Sequence, residues 1–185
     1  AVVERSIDAY FNAGELNSPF VRGNRIFQWK RSGEQKRKVL YMRNRGSHEE
    51  IPVLDPSAYA ADTENPRVSI PSAYVDISED GKFIAYQISE TGDEEYGRLE
   101  VKDIDTGELV DQIPGMHRSQ VSWLPDNSGF YYTRLEDPSV IGQESEDDEE
   151  KARIAQEKTK RYIYFHKTGE TDWTHDPEIA RSDKW

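Results

Sequence analysis

Cysteine is absent from this 185-residue sequence. That excludes disulfides, thiolate metal sites and cysteine nucleophiles, and it fits a reducing compartment. Long apolar runs are missing too: none approaches the ~20 residues that a membrane helix needs. The opening residues AVVERSIDAY are too charged and too short in apolar length for a signal peptide. A cytoplasmic setting is expected, with the periplasm as the alternative, and no membrane partner. Positive charge is the scarcer sign, with 24 Lys and Arg against 36 Asp and Glu, a net charge of −12 and a pI near 4.8. Nucleic acid would be repelled at long range and is not an expected partner.

Hydrophobic residues make up only 35 % of the chain, below the ~45–50 % usual for globular domains even with glycine added. Ten Tyr, six Phe and four Trp nevertheless give an aromatic share of 11 %, too high for a solvated coil. These aromatics sit within short β-like runs. The combination predicts a folded, strand-rich chain with an aromatic core and charged turns. The length suits one domain, or a piece of a larger one.

Val3, Ile7, Tyr10 and Phe11 have helical spacing, so a short helix is expected before Gly14. From Pro19 onward the pattern changes to extended segments. Strands are expected at 25–30, 38–43, 51–54, 74–77, 83–89, 98–103, 110–113, 120–124, 130–134 and 161–166. Asp80-Gly81, Thr106-Gly107, Asn127-Ser128-Gly129 and Thr168-Gly169 supply turn residues between them. Many short strands with hairpin turns and little helix mean antiparallel β.

An internal repeat sharpens this. Ser78-Glu79-Asp80-Gly81-Lys82-Phe83-Ile84-Ala85-Tyr86 is echoed by Leu124-Pro125-Asp126-Asn127-Ser128-Gly129-Phe130-Tyr131-Tyr132, with a fainter version at 21–29. A period of ~40–50 residues carrying four strands is the mark of β-propeller blades. A sandwich also has regular strands but lacks the recurrent turn-plus-aromatic unit. The expected fold is therefore all-β: a partial propeller of about three four-stranded antiparallel blades, with a short N-terminal helix and one helical insertion. Its divisions are a segment at 1–18, then a propeller portion at 19–185 with blades at about 19–56, 73–114 and 118–176.

Two stretches break the rhythm. Residues 55–72, with Pro56, Pro66 and Pro71, read as a connecting loop. Residues 135–160 form an insertion that is acidic at 144–150 and helix-favouring after it. Ser145, with Asp148 three residues on, is the candidate cap of that helix, and Asp147–Lys151 and Glu149–Arg153 have ion-pair spacing. A solvated surface helix is the plainer reading; a docking site for a basic partner or a cation trap are alternatives.

Catalytic motifs are not found. No Gly-x-Ser-x-Gly pentapeptide is present, and His48, His117, His166 and His175 lie outside metal-ligand spacings. No glycine-rich loop precedes a helix, so no nucleotide or other cofactor is expected, nor any metal. His48 and His175 fall in polar turns. His166 ends the run Tyr162-Ile163-Tyr164-Phe165-His166, where a structural hydrogen bond is the natural use. His117 and Arg118 fall where a new blade should begin, which makes them pore-lining candidates.

These motifs in sequence resemble the prolyl oligopeptidase family. The run 78–86, followed by Ser89, Thr91-Gly92, Val101-Lys102-Asp103 and Thr106-Gly107-Glu108-Leu109, is similar to the family's second blade. Trp123-Leu124-Pro125-Asp126 with Gly129 through Arg134, then Tyr164-Phe165-His166 and Gly169, resembles the next. Pro19-Phe20, Gly23, Arg25, Phe27, Val39-Leu40-Tyr41 and Leu54-Asp55-Pro56 fit the first. The resemblance implies a serine peptidase acting on short peptides, many after proline, in which a seven-bladed propeller covers an α/β-hydrolase domain. It implies that Ser, Asp and His of the active site lie in that hydrolase domain, downstream, so that no catalytic residue is expected in this chain and the chain alone is expected to be inactive. The first 18 residues would pack on the hydrolase domain, and the implied partners are that domain and short peptide substrates.

The resemblance also marks departures. Asp93-Glu94-Glu95 stands where the family often carries Ser-Asp-Trp facing the hydrolase domain, and Arg118 replaces an aromatic lent to the substrate cavity. Glu94, Glu95, His117 and Arg118 are accordingly the candidate gating residues, and strict post-proline specificity is left open. A propeller that serves only as a protein-binding module is the alternative function. Uncovered blade faces predict self-association of the isolated chain.

Overall fold

The computed structural model describes residues 13–33, 35–62, 67–141 and 143–181. The helix expected at 3–12 lies outside the described residues. The chain divides into two compact units, at residues 1–66 and 67–185.

In the first unit, β1 (Glu15–Leu16) and β2 (Phe20–Arg22) pair along the same side of β3 (Arg25–Arg31), followed by β4 (Val39–Asn44) and β5 (Ile51–Leu54), all antiparallel. Period-two alternation sets the buried face. Phe27 opposes Met42 and Trp29 opposes Leu40 in the β3–β4 register, and all four are buried. Phe20 stacks on Phe27 at 5.5 Å between ring centroids.

The expected loop at 55–72 begins instead with a helix, α1 (Pro56–Asp62). Asp55 explains it: its Oδ1 accepts from the backbone N–H of Ser57 at 2.8 Å and of Ala58 at 3.3 Å. Pro56 sits where its missing N–H costs nothing.

The second unit holds two four-stranded antiparallel meanders. The first is β6 (Val75–Ile77), β7 (Phe83–Ile88), β8 (Tyr96–Asp103) and β9 (Leu109–His117). The second is β10 (Ser122–Trp123), β11 (Gly129–Leu135), β12 (Arg161–Lys167) and β13 (Glu178–Arg181). One β9–β11 register pair, Met116 opposite Arg134, links them into an eight-stranded sheet. Four-stranded antiparallel meanders repeated along one chain are the unit the sequence predicted. The strands it did not predict, β1, β2 and β13, are short outer strands.

The meanders share one core. Ala85, Leu99, Val101, Ile113 and Met116 come from the earlier meander; Phe130, Tyr132, Tyr162 and Tyr164 come from the later one, with Val121 just ahead of it. Phe130 lies at its centre, edge-on to Trp123 at 5.0 Å and to Tyr132 at 6.0 Å. Aromatics suit this joint because each removes some 150–250 Å² from water.

The repeated aspartate turns are built alike. Asp80 Oδ1 accepts from the Lys82 N–H at 2.9 Å and the Ser78 hydroxyl at 2.8 Å. Asp126 Oδ1 accepts from the Ser128 N–H at 3.1 Å and its hydroxyl at 2.7 Å. Burial raises the Asp80 pKa, but these donors and the Asn127 side chain outweigh it and hold the carboxyl below its usual range. Equivalent turns of successive meanders thus touch.

The insertion carries α2 (Asp148–Glu157). Its N-cap is Asp147, which accepts from the Glu150 N–H at 2.9 Å, rather than Ser145. The ion pairs are Asp148–Lys151 and Glu150–Arg153, three residues apart instead of the expected four. Holding the cap with Asp147 withdraws its carboxylate from Lys151, and one turn of helix brings either spacing within reach.

Candidate functional site

Three of the four candidate gating residues converge at one end of the β8–β9 hairpin. Tyr96 opens β8 and is paired with His117, the last residue of β9. His117 therefore ends an outer strand; the next meander starts five residues later, at Ser122. Arg118 follows in the left-handed region, with φ of 45°, a conformation uncommon outside glycine, asparagine and aspartate. Two contacts with one residue hold it there. The Arg118 N–H donates to the Glu95 carbonyl at 2.8 Å, and its guanidinium forms an ion pair with the Glu95 carboxylate.

The loop bearing Glu95 is organised by its own polar groups. The Glu95 N–H donates to Asp93 Oδ1 at 3.0 Å, and the Ser89 hydroxyl donates to the Asp93 carbonyl at 2.6 Å. Beneath it lies Gln87, fully buried on β7. Its Nε2 donates to the carbonyls of Glu94 and Glu95 at 3.1 and 3.4 Å, while its Oε1 accepts from the Ser119 N–H at 3.4 Å. One amide thus braces both loops of the site. Ser119 Oγ accepts in turn from the Thr133 N–H at 3.0 Å, which ties the site to β11. Glu94 is exposed and contributes its backbone carbonyl; its carboxylate is not part of the cluster.

The electrostatics favour recognition over chemistry. The Arg118 guanidinium holds the Glu95 carboxyl below its ordinary range, and Glu95 raises Arg118 in return. Burial, then the nearby Arg161, pulls the His117 pKa down, so the ring is neutral near pH 7. His117 stacks on Tyr96 at 4.5 Å, lies 3.7 Å from Glu95 through Nε2, and leaves Nδ1 buried without a hydrogen-bond partner. Lys158, after α2, holds its Nζ over the Tyr96 ring, 5.6 Å from the ring centre. Beside the cluster is an open groove of about 240 Å³ lined by Ile88, Tyr96, Gly97, Pro114, Gly115 and Pro138 among others. Half-exposed opposite charges next to such a groove can hold a polar or charged ligand. They do not make a nucleophile and base.

Tyr96, Gln87 and Ser119 were missed by the sequence reading. Gln87 had a signal, as a lone amide in the apolar run Phe83-Ile84-Ala85-Tyr86-Gln87-Ile88; the others had none. Among the described residues no group of three or more His, Asp or Glu side chains is placed to hold a metal ion. His48 is exposed, as is His175, which pairs with Asp172 at 2.8 Å.

Repeated four-stranded meanders around an aromatic inter-sheet core, with polar loops gathered at a sheet end, define a β-propeller. The family model for the prolyl oligopeptidase N-terminal β-propeller domain matches residues 3–185, and the chain belongs to that family. It is 28 % identical over 176 residues to a prolyl endopeptidase of Elizabethkingia meningoseptica, covering 95 % of this chain and 22 % of that protein. It is 27 % identical to prolyl oligopeptidase A of Galerina marginata, covering 90 % and 24 %. A solved prolyl endopeptidase superposes with a TM-score of 0.75 at 25 % identity, over 96 % of this chain and 24 % of the other. Prolyl oligopeptidase B of Galerina marginata, solved with a 25mer macrocyclization substrate, shares the fold with a TM-score of 0.74 at 20 % identity, over 99 % and 26 %. The chain therefore spans about a quarter of the length of these relatives, and the family's catalytic domain is not within its 185 residues.

Proposed function

We propose that this chain is the portion of a prolyl-oligopeptidase-type serine peptidase that screens short peptides on their way to the hydrolase active site. The family match across residues 3–185 carries this reading. Glu95, Arg118 and His117, with Glu94 at the rim, form the polar surface that meets the peptide or the hydrolase domain, and the exchange of aromatic for charged groups there favours polar peptides over strictly apolar ones. The whole protein, carrying a downstream Gly-x-Ser-x-Gly serine, is expected to cleave a Gly-Pro reporter peptide and to spare folded proteins. The 185-residue chain alone is expected to show no turnover. A whole protein that lacks the serine motif and cleaves no peptide ends this proposal, as does serine-peptidase turnover by the short chain.

Self-association belongs to the same reading. Tyr131, Ile163 and Phe165 lie on the face of β11 and β12 turned away from the shared core, and Tyr131 and Ile163 are each 38 % exposed. A further meander would cover such a face in a propeller; without one, a second copy serves. Sedimentation of the chain at micromolar concentration is expected to show dimers or larger species. A clean monomer at 100 µM (an order-of-magnitude ceiling for specific weak dimers) argues against it.

A further inference from the structure

His166 is 1 % exposed on β12, and both ring nitrogens face carboxylates. Nδ1 lies 2.9 and 3.0 Å from the two oxygens of Asp176, and Nε2 lies 3.2 Å from Asp111 Oδ1, off the straight hydrogen-bond line. A neutral imidazole carries one N–H and one lone pair, so here it would set a lone pair against an anionic oxygen. Only the imidazolium turns a positively charged N–H edge toward both carboxylates.

The partners come from different elements. Asp111 is on β9 of the earlier meander and also accepts from the Gly169 N–H at 3.0 and 3.1 Å, in the turn after β12. Asp176 precedes β13 and accepts from the Tyr132 hydroxyl of β11 at 2.7 Å. The β9–β11 register pairing occurs at Met116, while Asp111 lies five residues back along β9, or ~17 Å at the usual rise per residue. The cluster therefore fastens the part of the interface that the backbone leaves open.

We propose that His166, Asp111 and Asp176 form a protonation-dependent clasp between the two meanders, closed by the imidazolium and released in alkaline solution. The other ionisable side chains nearby are Tyr132, Arg134 and His175. Tyr132, in front of it on β11, is held far above its ordinary range by burial and then by Asp176, with Arg134 acting in the opposite sense. His175, beside Asp176, is exposed and points to Asp172. On His166 itself burial lowers the pKa, but Asp111 and Asp176 outweigh burial and raise it to about 9.

A folded-state value above the unfolded ~6.5 means that the contribution is complete below pH ~6.5 and is lost as pH rises through about 9. The unfolding equilibrium constant is thus expected to rise roughly 200-fold more between pH 6 and 10 in the wild-type chain than in His166→Gln. In nitrogen-15 NMR of the wild-type chain, both ring nitrogens of His166 should be protonated at pH 7, with a midpoint near 9. Asp111→Asn should lower that midpoint by a unit or more. A single neutral tautomer at pH 7 overturns the proposal, as does a stability profile that His166→Gln leaves unchanged. Should His166→Gln fail to fold, the wild-type ring spectrum and Asp111→Asn still decide.

Discussion

Phe130→Ala is expected to cost about 3–5 kcal/mol of folding stability, the range for removing a fully buried phenylalanine side chain. The ring is 0 % exposed and meets Trp123, Tyr132 and His166 at once, so no neighbour can collapse into its space without leaving its own contacts. Against the 5–15 kcal/mol that stabilises a typical domain, this is enough to leave a substantial unfolded population. Urea denaturation should show a much lower midpoint with an unchanged slope. Tyr131→Ala is the control: one residue along β11, on the opposite face, it touches Phe165 alone among the described aromatics and should cost about 1 kcal/mol or less. Equal losses at the two positions, or a loss below about 1 kcal/mol at Phe130, would remove the shared aromatic core from the account.

Gly97→Ala tests the geometry of the site. A Cβ at Gly97 would lie 2.1 Å from the Ile88 carbonyl oxygen and 2.7 Å from its carbon, and both belong to backbone. The strands must part, at the position where the β8–β9 register already shifts. The expected cost is about 2–4 kcal/mol, with displacement of Tyr96 from His117 and a return of the His117 titration toward its ordinary value. Gly107→Ala separates crowding from backbone strain. Gly107 has φ of +72° but nothing within 4 Å of the added carbon, so only the left-handed penalty of about 1 kcal/mol applies. Denaturation of both variants, with NMR titration of His117 in Gly97→Ala, checks the pair. A Gly97→Ala protein as stable as wild type would mean that the β7–β8 approach is looser than described.

The central strands were legible because their pattern is local. Arg25–Arg31 alternates buried and less buried positions, Val39–Asn44 and Gly129–Leu135 do so in part, and Phe83–Ile88 is a short, almost wholly buried run. Each lies between turn residues and was expected to within a residue or so of its observed ends. Outer strands escaped for the converse reason. Glu178–Arg181 is held by pairing with Tyr162, Ile163 and Tyr164 and by Arg181 resting 4.8 Å over the Tyr162 ring, none of which shows in the four residues Glu-Ile-Ala-Arg. The α1 helix did have a signal, Asp55 as cap and Pro56 in first position, and the prolines around it masked the signal. At the candidate site, charge and position singled out Glu95, His117 and Arg118, yet nothing in the order of residues announced the left-handed backbone of Arg118.

Turn chemistry, strand alternation and the 48-residue echo from Gly81 to Gly129 were settled by the sequence alone, because an Asp-bonded turn and a two-residue period need only near neighbours. Which distant groups meet was decided by tertiary structure. Gly169 finds Asp111 across 58 positions, Ser119 finds Gln87 across 32, and Arg118 finds Glu95 across 23. Such partners are selected by how hairpins close and meanders pack together, since a buried charge or amide is tolerated only where that packing delivers its complement.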